Sequence, residues 1–393
     1  MTTALPNRAD GLLKCSDLGL SVGRLRPGPR NDITDVPGVR VGHNTVDRPN
    51  THIHTGCTAI KATPTDGVVP AAAHVINGYG KPTGLAQIRE LGTLETPIVL
   101  TNTFAVGAAY QAILEYMLDR DPALRDGFRS LNPVVAECND SALSDMQALP
   151  LEPSAVRLAL DGASEAPAAQ GSRGAGRGMT LFDLKGGIGT ASRCVAAGRY
   201  VVGVLVLTNF GRLPELTIAG LEVGKVLAAE ADDDDGPPAP APPGSVVAIV
   251  ATDAPVLARP LERMLRRVQS GLARTGGLVA HGSGEFAIGF ATTPADVISS
   301  QALTEMTELE ASGGIDELFA AVIEGTEEAV LNSLFNAETL TGRNGATRHA
   351  FPIERLEELL RAAEGMRRDR RRGHSNATWR TELVDRDDAG DRN

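Results

Sequence analysis

The junction between residues 244 and 245 constrains the fold of this chain more than any other feature of its sequence. A proline-rich run, PPAPAPPG, ends at Gly244 and does not form regular structure, because proline has no backbone donor and favours an extended conformation. Residues 246–251 then form a continuous apolar run, which is typical of a strand buried on both faces. We therefore expect an extended linker to enter a buried strand directly at Ser245.

Ser245 would become a new N-terminus if the Gly244–Ser245 bond were cut. An N-terminal serine has a hydroxyl nucleophile beside its own α-amine, whose ordinary pKa of about 7.7–8.0 allows the amine to act as the base. Gly-Ser is also the commonest linker dipeptide, so the pair alone favours an uncut linker. The other residues of the chain are needed to distinguish a cut Gly244–Ser245 bond from an uncut linker.

Composition and charge limit the classes of function open to the chain. Its 393 residues are 42% hydrophobic, which is enough for one large α/β domain or two ordinary ones. A net charge of −11 argues against nucleic acid as a partner. We see no signal peptide and no apolar run long enough for a membrane span, so we expect a cytoplasmic protein without a membrane partner.

The metal-binding residue types do not form a recognisable site. The four cysteines are widely spaced and include no CxxC pair, which predicts neither a zinc site nor a disulfide framework. His43, His52 and His54 cluster after the first predicted strand, and an H-x-H pair can bind a metal. Because no carboxylate or cysteine lies at ligand spacing, surface or structural roles are favoured for these histidines.

Polar side chains stand at the ends of three predicted strands, where α/β proteins commonly place site residues. Glu137 and Asn139 follow a strand that begins at residue 134, and Asn209 follows the apolar run 201–207. In HGSGEFAIGF, Ser283 and Glu285 share the face opposite three apolar side chains. Structural alternatives stay open: a capped helix after the Glu137 cluster, a turn closed by Asn209, and an exposed sheet face for the Ser283–Glu285 pair.

A glycine-rich block over residues 171–195 lets the backbone pass close to another group. Its glycine spacing fits neither the P-loop pattern nor the dinucleotide-binding pattern, so nucleotide binding is poorly supported.

Six blocks taken together resemble the DmpA-type aminopeptidases, which include L-aminopeptidase/D-esterase-amidases and β-peptidyl aminopeptidases. In chain order the blocks are DVPGVRVGH, LTNTFAVG, KGGIGTASR, GSVVAIVATDAP, HGSGEFAIGF and LNSLFNAETLTGR. The resemblance runs from about residue 32 to residue 360. It implies a four-layer αββα sandwich of the α/β class and a self-processing N-terminal serine hydrolase that is cut between Gly244 and Ser245.

The resemblance also implies roles for the polar residues found above. Ser245 would be the nucleophile, with Ser283 and Glu285 completing a hydrogen-bonded set around it. Asn209 would donate to the oxyanion, and Glu137, with Asn139 in the same cluster, would bind the free amino group of the substrate. Some members have a tyrosine two residues after the asparagine–aspartate pair, where this chain has Ala142, so the contribution of that hydroxyl is absent.

These inferences divide the chain into four parts. We expect residues 1–30 to form a loosely packed arm and residues 31–244 to form the α chain, ending in an acidic and proline-rich linker over 231–244. The β chain would span 245–364, followed by a disordered charged tail over 365–393.

The implied function is removal of N-terminal residues from short peptides, amides or esters that have a free amino terminus. No metal or cofactor is expected, and the αβ units are expected to form a homo-oligomer. Two alternatives stay open: an acyltransferase similar to ornithine acetyltransferases, which use threonine as the nucleophile, and a non-enzymatic binding protein that is never cut.

Overall fold

The computed structural model describes residues 11–62, 67–127, 130–231, 244–292 and 300–371. The chain divides into two units, the first ending at Phe351 and the second beginning at Pro352. The described strands are β1 (Arg40–Arg48), β2 (Ile53–Lys61), β3 (Val69–Gly78), β4 (Thr93–Leu94), β5 (Ile98–Asn102), β6 (Val134–Cys138), β7 (Thr180–Leu181), β8 (Leu184–Lys185), β9 (Ile188–Val195), β10 (Tyr200–Asn209), β11 (Ser245–Thr252), β12 (Gly284–Ala291), β13 (Leu340–Thr341) and β14 (Thr347–Arg348). The described α-helices are α1 (Leu85–Leu91), α2 (Val106–Arg120), α3 (Ala123–Asp126), α4 (Pro153–Asp161), α5 (Val223–Ala231), α6 (Ala258–Leu265), α7 (Val268–Arg274), α8 (Ser300–Ala311), α9 (Gly314–Phe335) and α10 (Ile353–Arg371).

Two sheets form the centre of the first unit. One has the strand order β1-β2-β5-β6, and the other has the order β4-β3-β12-β11-β10-β9. Their facing sides share one apolar core, to which the first sheet contributes Ile60 and Leu100 and the second contributes Leu205, Val247 and Ile288. Every residue of β11 is buried, which confirms the prediction of a strand enclosed on both faces.

Helices cover the outer face of each sheet. The four-stranded sheet packs its outer side chains against α2 and α4, with Val99 and Val135 meeting Ile113 and Leu160 in a second core. The six-stranded sheet is covered by α6 and α9. The predicted αββα sandwich is therefore confirmed. No helix in the described ranges is long and apolar enough to cross a membrane.

The beginning of the described chain differs from the expectation of a loosely packed arm. Within residues 11–30, Cys15 is fully buried, and the backbone N–H groups of Arg24 and Leu25 donate to the Glu324 carboxylate at 2.9 and 3.0 Å. Glu324 also pairs with buried Arg193, so the segment packs against a satisfied charge cluster of the main unit. Nothing in the arm's own sequence shows this, because the partner lies about 300 residues away along the chain.

The expected boundary between the β chain and the tail also differs from the structure. The last helix, α10, continues to Arg371, whereas the tail was expected to begin at residue 365. Residues 232–243 of the linker and residues 372–393 of the tail lie outside the described residues.

Candidate active site

The first residue of β11 lies where three strands of the six-stranded sheet meet. Ser245 pairs with Asn209 at the end of antiparallel β10 and with Gly284 at the start of parallel β12. Because β10 ends where β11 and β12 begin, one terminus of each strand lies at the same edge of the sheet. The fold thus brings Asn209, Ser245, Ser283 and Glu285 to the same edge of the sheet.

Asn209 is fixed with its amide NH₂ towards the nucleophile. Its Oδ1 accepts hydrogen bonds from Thr180, from the backbone N–H at 3.0 Å and from the hydroxyl at 3.2 Å. Its Nδ2 donates to the carbonyl of Asn139 at 2.9 Å and lies 3.5 Å from Ser245 Oγ. Because the backbone N–H of Thr180 can only donate, the amide cannot turn its oxygen towards Ser245 without losing that bond.

The glycine-rich block holds Thr180 in place, a role that the sequence analysis did not assign to it. Lys185 is fully buried, and its Nζ donates to the carbonyls of Gly176, Met179 and Gly186 at 3.0, 2.9 and 2.7 Å. Burial lowers the pKa of Lys185 well below its usual value. The three carbonyl acceptors oppose this effect, because they match the three N–H donors of the charged ammonium group. The block therefore serves as a scaffold for Thr180.

Ser283 and Glu285 form a buried pair at the beginning of β12, the strand that pairs with β11 from Ser245 onwards. The Ser283 hydroxyl donates to Glu285 Oε1 at 2.8 Å, and both residues are almost fully buried, so they do not lie on an exposed sheet face. Burial raises the pKa of Glu285, and the Ser283 hydrogen bond opposes that rise. Glu285 Oε2 has no hydrogen-bond partner among the described residues. A carboxylate with a raised pKa and an unused oxygen is suited to proton transfer.

The carbonyl of the bond expected to be cut also has a defined partner. The Gly244 oxygen accepts a hydrogen bond from the backbone N–H of Gly284 at 3.2 Å. Any side chain at position 284 would place its Cβ 2.6 Å from the carbonyl oxygen of Tyr79, so glycine is required for this close approach. A backbone donor thus points at the oxygen on which charge develops when the Gly244 carbonyl is attacked.

Glu137 comes to this region from the other sheet, at the end of β6. It is buried, and its carboxylate accepts from the backbone N–H of Lys81 at 3.0 Å and from the Thr103 hydroxyl. The thiol of the next residue, Cys138, donates to the carbonyl of Leu207 at 3.7 Å. Burial raises the pKa of this thiol, and the nearby Ser245 side chain opposes the rise. Glu137 therefore lies one residue from a group that is near the nucleophile.

The residues after Glu137 form turns rather than the capped helix that was one alternative. The Asn139 side chain accepts from the backbone N–H of Ser141 at 2.9 Å, while its carbonyl holds Asn209. Asp140 is fully buried and accepts from the Thr55 hydroxyl at 2.5 Å, and burial raises the pKa of Asp140 to about 7. Asn139 thus contacts the site through its backbone carbonyl, while its side chain closes a local turn. Ala142 lies in the same turn region.

Two of the clustered histidines have structural partners. His43 Nδ1 is hydrogen-bonded to the Thr58 hydroxyl at 2.9 Å, and His54 Nδ1 pairs with the Asp47 carboxylate. In the part of the chain that the structure describes, no group of three His, Cys, Asp or Glu side chains is arranged to hold a metal ion.

Comparison with known proteins places this arrangement among peptidases. The model of peptidase family S58 matches residues 31–348. The β-peptidyl aminopeptidase BapA of Sphingosinicella xenopeptidilytica is 38% identical over 361 residues, covering 86% of this chain and 88% of the relative. Among solved structures, the PH0078 protein of Pyrococcus horikoshii OT3 is 41% identical with a TM-score of 0.81, covering 90% of this chain and 99% of that one.

A second solved structure is described by its fold as well as its activity. The L-aminopeptidase D-Ala-esterase/amidase of Ochrobactrum anthropi is 34% identical, has a TM-score of 0.77, and covers 89% of this chain and 99% of its own. It is described as a prototype for the serine aminopeptidases and as a variant of the Ntn hydrolase fold.

Proposed function

Because the chain belongs to peptidase family S58, we propose that it cuts its own Gly244–Ser245 bond and then uses Ser245 to remove N-terminal residues from short peptides, amides or esters. The chain is a hydrolase of the serine aminopeptidase type. One observation carries the proposal: Ser245, the residue after the linker, lies beside an amide donor and pairs with the strand that carries a buried serine–glutamate pair, and a backbone donor holds the preceding carbonyl.

Self-cleavage begins with attack of Ser245 Oγ on the Gly244 carbonyl carbon. The Gly284 N–H stabilises the oxyanion, and the hydroxyl proton passes through the Ser283–Glu285 pair to the departing nitrogen. The C–N bond breaks and leaves an ester between Gly244 and the serine oxygen. Water then hydrolyses this ester, which gives a carboxylate at Gly244 and a free α-amine at Ser245.

Turnover uses the same oxygen on an external carbonyl. Ser245 Oγ attacks the substrate, Asn209 Nδ2 donates to the oxyanion, and the new α-amine or the Ser283–Glu285 pair transfers the proton to the leaving group. The acyl group stays on Ser245 as an ester until water releases it. Asn209 thus stabilises charge in turnover, and Gly284 stabilises charge in self-cleavage.

Glu137 supplies the anchor for a free amino terminus. Each of its carboxylate oxygens accepts one hydrogen bond, from Lys81 or Thr103, and each keeps further lone pairs. A buried carboxylate with spare acceptors favours an ammonium group over a neutral amide. The substrate range proposed here matches the relatives, which are named for β-peptidyl, L-amino and D-alanyl substrates.

The two products of the cut should remain associated. In the six-stranded sheet, β11 and β12 of the new β chain pair with β10 and β3 of the α chain. Assembly of these αβ units into a homo-oligomer and a cytoplasmic location stay predictions, to be tested by light scattering and cell fractionation.

Intact-mass analysis of the purified protein tests the proposal. We expect two chains, the second beginning at Ser245, and release of p-nitroaniline from amino-acid p-nitroanilides. Ser245→Ala should remain a single inactive chain, whereas Ser270→Ala, which changes an exposed serine on α7, should be cut and active. An active wild-type protein that is still one full-length chain would contradict the proposal.

A further inference from the structure

Two exposed aromatic residues lie close in sequence to the groups that hold Glu137, in a chain that has few aromatic residues. Aromatic residues make up 4% of the sequence, and among the described ones only Tyr79 and Phe104 are mainly exposed, at 60% and 51%. The other described aromatic side chains are buried or half-buried. Aromatic side chains commonly line small-molecule sites, so two rings close to the segments that hold a binding residue are suited to contact with a ligand.

The segments that position Glu137 also position the two rings. Phe104 directly follows Thr103, whose hydroxyl donates to the Glu137 carboxylate, and Tyr79 lies two residues before Lys81, whose N–H donates to it. Both rings are therefore tied through short stretches of backbone to the anchor for the amino group.

The backbone around Phe104 is held rigidly. The Asn102 side chain accepts from the N–H groups of Phe104 and Ala105, each at 3.0 Å, and its own NH₂ donates to the Thr55 hydroxyl at 2.8 Å. On the other side, the Tyr79 carbonyl lies against Gly284, next to the carbonyl of residue 244. The backbone at Tyr79 thus lies next to Gly284, and the backbone at Phe104 directly follows the residue whose hydroxyl donates to Glu137.

We propose that Tyr79 and Phe104 form a subsite for an apolar side chain on the N-terminal residue of the substrate. The inference rests on the proposed function, since it requires that Glu137 hold the substrate's ammonium group. That group is separated from the side chain by one or two carbon atoms, so anchoring it at Glu137 keeps the side chain near the segments that carry the two rings. Apolar contact with two rings favours leucine or phenylalanine over glycine.

A charge beside the rings adds discrimination against basic side chains. The Lys81 ammonium lies 5.5 Å from the centroid of the Tyr79 ring. A lysine or arginine side chain entering the same space would meet a like charge as well as an apolar surface. The expected order of preference is therefore apolar side chains first, glycine next and basic side chains last.

The test compares kcat/KM for leucine, glycine and lysine p-nitroanilides in the wild type, Tyr79→Ala, Phe104→Ala and a control, Leu158→Ala. Leu158 is 64% exposed but lies on α4, against the outer face of the other sheet. We expect the leucine-to-glycine ratio to fall about tenfold in each aromatic variant, a typical effect of changed apolar contact in a pocket. The ratio should stay unchanged in Leu158→Ala.

The leucine-to-glycine ratio of kcat/KM in the two aromatic variants supports or overturns the proposed subsite. An unchanged ratio in both aromatic variants overturns it, as does an equal loss for all substrates, which would indicate a structural role. Loss of oligomer mass in light scattering with an unchanged ratio would identify a subunit interface and also overturns it. Calorimetric binding of leucine and glycine separates the two proposals: tighter leucine binding that depends on Phe104 supports the subsite even if no substrate is hydrolysed.

Discussion

Replacing Asn209 by alanine should separate the two reactions of Ser245. The change removes the Nδ2 donor, which lies 3.5 Å from Ser245 Oγ, and one oxyanion donor is typically worth about 2.7–4 kcal/mol of activation free energy. We therefore expect kcat to fall by a factor of about 10² to 10³. Self-cleavage should continue, because the Gly244 carbonyl is held by the backbone N–H of Gly284, which the substitution leaves in place.

The same change has a cost in stability. It leaves the N–H and hydroxyl of Thr180 and the carbonyl of Asn139 without their partner, and an unpaired buried group costs about 1–3 kcal/mol. Thr180→Val is the matched variant, because it removes only the hydroxyl and keeps the N–H donor to Asn209. We expect it to lower kcat by about tenfold or less, the equivalent of one neutral hydrogen bond.

Both readouts come from one preparation of each variant. Intact mass over time follows self-cleavage, p-nitroaniline release gives kcat, and near-UV circular dichroism with a thermal melt establishes that the variant is folded. A folded Asn209→Ala protein that stays full-length would show that the amide also serves self-cleavage. Wild-type kcat in the cut variant would exclude Asn209 as the oxyanion donor.

Two further substitutions test the carboxylates. Glu285→Gln is nearly isosteric and should keep the fold, but it should slow both self-cleavage and hydrolysis by about 10² to 10⁴. Since burial raises the pKa of Glu285, the active carboxylate is lost as pH falls through that raised value. The wild-type kcat/KM should therefore decrease at low pH, and this decrease should be absent in Glu285→Gln. The same dependence of kcat/KM on pH in both proteins would show that the Ser283–Glu285 pair is only structural. The wild type should hydrolyse N-acetylated substrates far more slowly than substrates with a free amine, mainly because their KM is higher. Glu137→Gln should reduce this difference in rate, because it should slow only the reaction of the free-amine substrates. Equal wild-type rates on N-acetylated and free-amine substrates would show that Glu137 has only a structural role.

The sequence could predict the residues whose position depends on their own strand. Ser245 begins an apolar run and Asn209 ends one, so each could be placed at a strand terminus from periodicity alone, and the family resemblance supplied the four layers. Thr180 and Lys185 could not be found in this way, because their effect depends on a turn meeting a strand end 29 residues later along the chain. The glycines around them signalled a close approach of the backbone but not its partner.

The order of strands in the larger sheet affects how the mature protein can fold. The strands β12 and β11 lie between β3 and β10, so after the cut two strands of one chain are inserted between strands of the other. While the linker is intact, this insertion is an intramolecular step whose entropic cost is that of closing a loop. Once the linker is cut, the same step requires two separate molecules to meet, so recovery from the unfolded state depends on protein concentration. The precursor is therefore the species that folds, and the mature enzyme keeps a structure that it cannot readily regain.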